Sequence, residues 1–415
     1  MSEAKSQNYR ILLVCNDGDY FVRHRLFVVS RLCAMGVDVT ALVGGSPICA
    51  DSIHGWTYIH VNIERFGLSL VSDLKLMIRT AKAIWDVRPD AIHLITLKPT
   101  VFSGIVAVAA RLLSGSPKRI LITLPGLGRM LSGPKKPGER RYLLGAPLTL
   151  LTLRLLAKNR GVHFTFETRR DYEFWAKREI VNGNNATVID GAGVNAALFY
   201  PADVNLGECS KIPRMKVLFA SRLLKSKGLY AYLIAAREFP SRSDVEFLVA
   251  GMSDEKDPDA VPSGYLKRLD EINFLDNVSE MPALLRECDV VCLPTRYGEG
   301  IPRILIEAAA SGVASIASNH PGCLEIVEHN VTGQILSGET DEVLGQQLSL
   351  AIVRYLETPD ILERHKRAAR QKFLSRAFSQ DAVAARFCEL LGAPSSASET
   401  SNNEPVSNLV FDNRG

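Results

Sequence analysis

The sequence predicts an α/β protein built from two doubly wound domains that face one another across a cleft. Short apolar runs alternate with longer helical segments, the alternation falls into two series, and a stretch rich in Gly, Pro and small polar residues separates them. At 415 residues, 47% hydrophobic and 23% charged, the chain is long enough for two cores. The first series of strands reads RILLVC, VDVTALV, TYIHVNI, DAIHLIT, RILITL, HFTFET and ATVID. The second reads MKVLFA, VEFLVAG, INFL, DVVCLP and VASIAS. Each run is rich in Val, Ile and Leu and short enough for a buried parallel strand. Amphipathic helices are interleaved, for example Leu70 to Trp85 and Leu344 to Glu357. The predicted first domain is 1–195, the linker 196–213 and the second domain 214–392, its last helix a candidate to pack back on the first. From 393 to 415 the chain is Ser, Asn and Glu with few apolar residues, a composition that predicts disorder.

The eight cysteines are scattered and form no C-x-x-C pair, which removes zinc-ribbon and redox motifs and favours buried thiols in a reducing compartment. The N-terminus MSEAKSQNYR is polar and predicts no signal peptide, and the apolar stretches are expected to fall short of a membrane span. A cytoplasmic protein is expected. The net charge of +4 is unevenly placed. Residues 1–198 hold 26 Lys and Arg against 15 Asp and Glu, whereas the remainder holds 23 against 30. Residues 111–170 alone hold 13 basic and 2 acidic residues, including KKPGERR from Lys135 to Arg141, followed by the apolar LLGAPLTLLTLRLLAKNR. Basic residues beside an amphipathic helix suit an anionic membrane face. A solvated loop beside a core helix gives the same pattern. Nucleic acid is disfavoured, because no aromatic platform or binding module accompanies the charge.

The most informative stretch is YGEGIPRILIEAAASG, Tyr297 to Gly312. A Gly-punctuated loop follows an apolar run and turns into a helix, with Pro302 suited to the first turn. Glu299 lies in the loop and Glu307 about one and a half turns inside the helix. Two carboxylates so placed would grip the two ends of an elongated, hydroxyl-rich ligand, and the helix N-terminus between them favours an anion. Hydroxyls at both ends with phosphate between describe a nucleotide sugar.

Glu299 and Glu307, embedded in LPTRYGEGIPRILIEAAASG and followed by NHPGCLEIVEHNVTGQIL, resemble the paired-glutamate motif of retaining glycosyltransferases of family 4. The flanking residues look like the bacterial branch that builds capsule, O-antigen and related lipid-linked glycans. The resemblance spans Ile11 to Leu391 and implies the GT-B fold, two Rossmann-like domains. A second motif, Ser221 to Gly228 (SRLLKSKG), follows the first strand of the second domain and matches the family's R-x-x-x-x-K pattern. There Arg222 and Lys227 would neutralise the charge that develops on the leaving diphosphate. The family usually has Gly where Ser221 stands, and a small residue still fits.

By the same resemblance, Glu307 would hold the ribose hydroxyls and Glu299 those of the donor sugar. Main-chain amides around Gly300, Ile301 and Arg303 would approach the β-phosphate, and Met281 to Leu285, with Asn277 and Ser279, lie where family members contact the base. Gly18, after the first strand, would line the cleft near the transferred sugar. On the acceptor side, His24 and Arg25 fall in a string resembling the branch's F-x-x-H-R-L, with acceptor phosphate and a capping or packing role equally open. Lys98, taken as a loop residue, and Arg129 are further acceptor-phosphate candidates. The loop Leu124 to Gly128 lacks the His that many family 4 enzymes carry there, so no His-dependent donor positioning is carried over. Asp17-Gly18-Asp19 and Asp257-Pro258-Asp259 match the metal-binding D-x-D pattern by letter only, and with Arg222 and Lys227 as fixed cations neither metal nor other cofactor is expected.

The expected function is therefore retaining transfer of a hexose or N-acetylhexosamine from a UDP-sugar to a lipid-linked (polyprenyl diphosphate) acceptor in bacterial polysaccharide or glycoconjugate assembly. The lipid acceptor tips the basic segment toward the inner membrane face, with Lys135, Lys136, Arg140 and Arg141 as contacts. The alternatives are a nucleotide-sugar epimerase, which would need acid and base groups on both sides of the sugar, and a non-catalytic sugar-nucleotide-binding regulator. Transfer, epimer formation or binding alone, measured with UDP-sugars and membrane extract, separates the three.

Overall fold

The computed structural model describes residues 8–45, 47–48, 55–63, 69–126, 146–191, 193–202, 214–239, 244–253, 257–296 and 300–394. The chain divides into two compact units, Met1–Ala192 together with Asp381–Gly415, and Gly193–Gln380.

The first unit carries β1 (Arg10–Cys15), β2 (Asp38–Gly44), β3 (Trp56–Val61), β4 (Ala91–Ile95), β5 (Arg119–Leu124), β6 (Val162–Phe166) and β7 (Ala186–Val188). Its helices are α1 (Gly18–Ala34), α2 (Leu70–Val87), α3 (Leu97–Ser114), α4 (Ala146–Ala157) and α5 (Arg169–Ala176). The strands are all parallel, in the order β3-β2-β1-β4-β5-β6-β7. Both faces of β1 are buried, which explains why RILLVC reads as a continuous apolar run rather than an alternating one. Leu12 and Val14 enter the core shared with α2, α3 and α4, whereas Ile11 and Leu13 enter the core shared with α1. Asp17 caps α1 by accepting the Tyr20 N–H at 3.1 Å, and Thr168 caps α5 through the Asp171 N–H at 3.0 Å.

The second unit carries β8 (Met215–Ala220), β9 (Val245–Ala250), β10 (Asn273–Asp276), β11 (Val290–Leu293), β12 (Ala314–Ser318) and β13 (Gly333–Leu336). Its main helices are α6 (Leu229–Arg237), α7 (Met281–Glu287), α8 (Arg303–Ala310), α9 (Asp341–Glu357) and α10 (Pro359–Ser375). The order is β10-β9-β8-β11-β12-β13, again parallel throughout. Strand order therefore reverses between β1 and β4 in one unit and between β8 and β11 in the other, the Rossmann-like arrangement in which a crevice opens at the strand C-termini.

Several sequence expectations need correction. Strand β13, GQIL, did not register as a strand in the sequence, being four residues long with one β-branched residue. The linker was placed at 196–213, yet Val194 already bonds to the second unit: its N–H donates to the Phe378 carbonyl at 2.9 Å and its carbonyl accepts from Gln380 at 3.0 Å. The final helix, α11 (Gln380–Leu391), is no correction: it follows the candidate return to the first domain, sending Val383, Ala384 and Phe387 into the core of the first unit. Helix α3 is long and apolar enough to cross a membrane by length and composition, contrary to the expectation that no stretch would be. It buries Val101, Ser103, Gly104 and Ala107 against its own unit, as the helix of a sheet domain does. The tail from 395 lies outside the described residues.

A polar chain crosses the first core. His93 Nε2 shares a hydrogen bond with Thr123 Oγ1 at 2.7 Å, and Thr123 Oγ1 with Thr165 Oγ1 at 2.6 Å. Burial holds the imidazole of His93 well below its usual pKa, and the nearby Arg25 guanidinium pushes the same way. Burial lowers His163 and His365 as well. A depressed folded-state pKa means that the native state binds fewer protons than the unfolded chain. Stability is then complete above the unfolded His value of about 6.5 and is lost as pH falls below it. Thermal melts from pH 7.5 to 5.0 should show Tm falling through that window, and the gap between wild type and His93→Gln should narrow on acidification. Parallel curves for the two proteins would remove His93 from this account.

Candidate functional site

At the switch point of the second unit, β8 runs into Ser221, half-buried Arg222 and a single 3-10 turn, Lys225–Lys227. Lys227 is only 5% exposed. The turn is tied down by main-chain bonds. Ser226 N–H donates to Asp259 Oδ2 at 2.8 Å, Lys225 N–H to the Asp259 carbonyl at 2.9 Å, and Arg296 N–H to the Ser226 carbonyl at 2.8 Å. Two glycines permit the close approach of neighbouring loops. Gly228 has φ 82°, and a Cβ there would collide with the Pro294 carbonyl; Gly251 has φ 148°, and a Cβ there would collide with the Ser221 carbonyl. The loops that follow β8, β9 and β11 are thus held against one another around the turn that carries Lys227.

The other wall is the turn into α8. Gly300 and Ile301 are buried, and Pro302 (φ −61°, ψ 121°) stands at the N-cap position, one residue ahead of the helix start expected for it. Glu307, in the second turn, is 9% exposed, and its Oε1 accepts from Arg303 Nε at 2.7 Å. That pair at i, i+4 fixes the carboxylate in one rotamer and offsets the cost of burying its charge. Arg303 was expected to contribute its main-chain amide; the structure adds this side-chain role. Glu299, with Tyr297 and Gly298, lies outside the described residues.

Residues 211–372 match the family described as "Glycosyl transferases group 1", and residues 10–153 match "Glycosyl transferase 4-like". The chain belongs to the GT-B glycosyltransferases. Among curated relatives, the N,N'-diacetylbacillosaminyl-diphospho-undecaprenol alpha-1,3-N-acetylgalactosaminyltransferase of Campylobacter jejuni is 26% identical over 176 residues, 41% of this chain and 46% of that one. The putative colanic acid biosynthesis glycosyltransferase WcaL of Escherichia coli is 26% identical over 238 residues, 53% of this chain and 55% of that one. The chain spans about half the length of these curated relatives. Among solved structures, Anabaena HepE in complex with UDP superposes with a TM-score of 0.69 at 16% identity, covering 93% of this chain and 100% of that one. At that identity the likeness speaks for the fold.

In this GT-B chain the acceptor-side candidates separate. Gly18 is the buried first residue of α1, and beside it Thr96 Oγ1 donates to Asn16 Oδ1 at 2.6 Å, joining the ends of β1 and β4. His24 is half-buried, its ring 4.5 Å from that of Tyr20. For Arg25 the structure supports the packing alternative. It is 0% exposed, ion-paired to Glu167 at 3.3 Å and stacked near the Phe387 ring at 5.0 Å, so it packs the core. Lys98 needs a correction of place. It sits in the first turn of α3, not in a loop, and is ion-paired to Asp73 at 2.8 Å with both side chains nearly buried. Arg129, Lys135, Lys136, Arg140 and Arg141 lie outside the described residues.

Both D-x-D strings have structural duties. Asp17 caps α1, and Asp257, read from sequence as part of a charged surface, is buried with Oδ1 accepting the Asp259 N–H at 3.0 Å. Sequence reasoning missed the Asp259 clamp and the cluster in which Tyr20 and Arg25 both donate to Glu167 Oε1 at 3.3 Å. Burial raises the Glu167 carboxyl above its usual pKa despite the Arg25 charge. The Arg303–Glu307 spacing alone was legible.

Gly228→Ala should destabilise the protein by about 1–3 kcal/mol, from left-handed backbone strain and the overlap with Pro294. Urea denaturation with an unchanged midpoint would show that the loop layer yields more readily than this geometry implies.

Proposed function

We propose that the chain is a retaining family 4 glycosyltransferase that moves a hexose or N-acetylhexosamine from a UDP-sugar to a lipid-linked saccharide in bacterial polysaccharide or glycoconjugate assembly. The observation that carries this reading is one pairing. Buried Lys227 on the β8 loop and buried Glu307 on the helix after β11 belong to neighbouring strands whose loops are bonded together. A buried cation and a buried carboxylate carried by adjacent strand ends suit diphosphate next to ribose. The relative named as acting on a diphospho-undecaprenol acceptor supports the lipid-linked class, and the UDP held by HepE supports the nucleotide.

In this mechanism Arg222 and Lys227 bind the two phosphates, and Glu307, held by Arg303, accepts from the ribose hydroxyls. Glu299 would hold the donor sugar, with the amides of Gly300, Ile301 and Arg303 near the β-phosphate. As the bond from the anomeric carbon to the diphosphate oxygen breaks, the growing negative charge lies against Arg222 and Lys227. The acceptor hydroxyl attacks from the same face and passes its proton to the departing phosphate oxygen. The anomeric configuration is kept, and no side chain need act as nucleophile. The protein contributes position and charge.

Lys227→Ala and Glu307→Gln should each weaken UDP binding by roughly tenfold to a hundredfold, as loss of a charge-assisted hydrogen bond of about 1.5–3 kcal/mol implies. Calorimetry checks this, with circular dichroism confirming that the fold persists; unchanged affinity in both variants would refute the assignment. Because fixed cations take the place of a divalent ion, initial transfer rates should be the same with and without excess chelator. A complete loss restored by manganese would overturn the metal-free mechanism.

A further inference from the structure

We infer that the outer face of α2, α3 and α4 is a docking surface for an anionic lipid bilayer. The three helices lie side by side over one face of the first sheet, α2 against α3 and α3 against α4. Their inner sides supply Leu76, Ile84, Ala107, Leu153 and Leu156 to the core. Their outer sides, which in a sheet domain normally turn polar, are apolar as well. On α2, Val71, Leu74, Ile78 and Trp85 are 80, 57, 60 and 72% exposed. Their spacing of three, four and seven residues puts them on one stripe. On α4, Leu148, Leu151 and Leu155 repeat the three-and-four spacing at 54–56% exposure. At the end of α3, Leu112 and Leu113 are 77 and 88% exposed. One exposed leucine is ordinary; aligned stripes on neighbouring helices form a patch of the kind that marks an interaction site.

The charge on this face selects the occupant. Neither α3 nor α4 contains an Asp or Glu. Of the two on α2, Asp73 is buried against Lys98, and Asp86 is paired with Lys82 at 3.1 Å. Lys75, Arg79 and Lys82 run exposed beside the α2 stripe, with Arg154 and Lys158 exposed on and just after α4. A second copy of the chain would bring these like charges against one another. An anionic bilayer satisfies both properties at once. The leucines enter the acyl boundary, Trp85 sits at headgroup level and the cations meet the phosphates. The inference shares with the proposed function only a lipid-borne acceptor, and it stands on exposure and charge alone.

The test uses the full chain with vesicles of phosphatidylcholine, with or without phosphatidylglycerol. Sedimentation with the anionic vesicles only, weakened by salt, is expected, together with a blue shift of tryptophan emission that is absent in Trp85→Ser. Leu74→Ser with Ile78→Ser should lower partitioning about tenfold or more, and Lys75→Ser with Arg79→Ser should lower it and flatten its salt dependence. All four positions are exposed, so UDP binding should be unchanged in both variants. Equal sedimentation with both vesicle types, or with neither, overturns the inference. So does a lipid-free dimer that Leu74→Ser with Ile78→Ser dissociates, which would assign the face to a second copy. Vesicle binding without UDP binding would instead count against the proposed function alone.

Discussion

The close approach of the β8 and β11 loops is the constraint on which the candidate site depends. A parallel sheet fixes where its strands end but leaves the following loops free, and a lone lysine on such a loop would sample many positions. Here Gly228 lets the backbone touch Pro294, Ser226 bonds to Asp259 and Arg296, and Arg296 is anchored again to Asp341 at 2.9 Å. Each bond is modest, about 1 kcal/mol net. Together they fix the backbone of the turn that carries buried Lys227. Preorganised charge of this sort does not have to reorient when a leaving group develops its own.

The opposite wall follows the same logic with different parts. A buried carboxylate is costly alone, and Glu307 is stabilised by Arg303 one turn earlier. The partner also orients it by holding Oε1. The first unit uses comparable devices for packing rather than binding. Arg25, Glu167 and Tyr20 close a buried polar cluster, and His93, Thr123 and Thr165 stitch β4, β5 and β6 together.

The sheets were legible in the sequence because parallel strands buried on both faces are written as unbroken apolar runs, and RILLVC or MKVLFA admits few other readings. GQIL escaped because a four-residue edge strand carries little composition. The placement of Arg222 and Lys227 on the loop after β8, and of Glu307 inside α8, was legible because loop and helix positions follow directly from a strand end. The partners of Arg25 and Lys98 were hidden for one reason. Local sequence marks a cation on a helix as available, whereas Glu167 and Asp73, which bury them, lie 142 and 25 positions away in the chain. The Asp259 clamp was hidden in the same way, 33 residues from the turn it holds.

The charge distribution raises an apparent conflict that the geometry resolves. The part of the chain that holds the candidate diphosphate site, from residue 199 onward, has seven more acids than bases, while the excess of bases lies in the other half. A summed field would repel the ligand. Surface charges, however, are screened beyond about 8 Å at physiological ionic strength, whereas a buried cation is screened far less. Lys227, at 5% exposure, therefore acts at its own loop together with the nearby Asp259 carboxylate, and acids on exposed faces elsewhere contribute little there. The exposed bases of the first unit act by the opposite rule. Spread over α2 and α4 beside apolar stripes, they would act together only at a surface large enough to meet many of them at once.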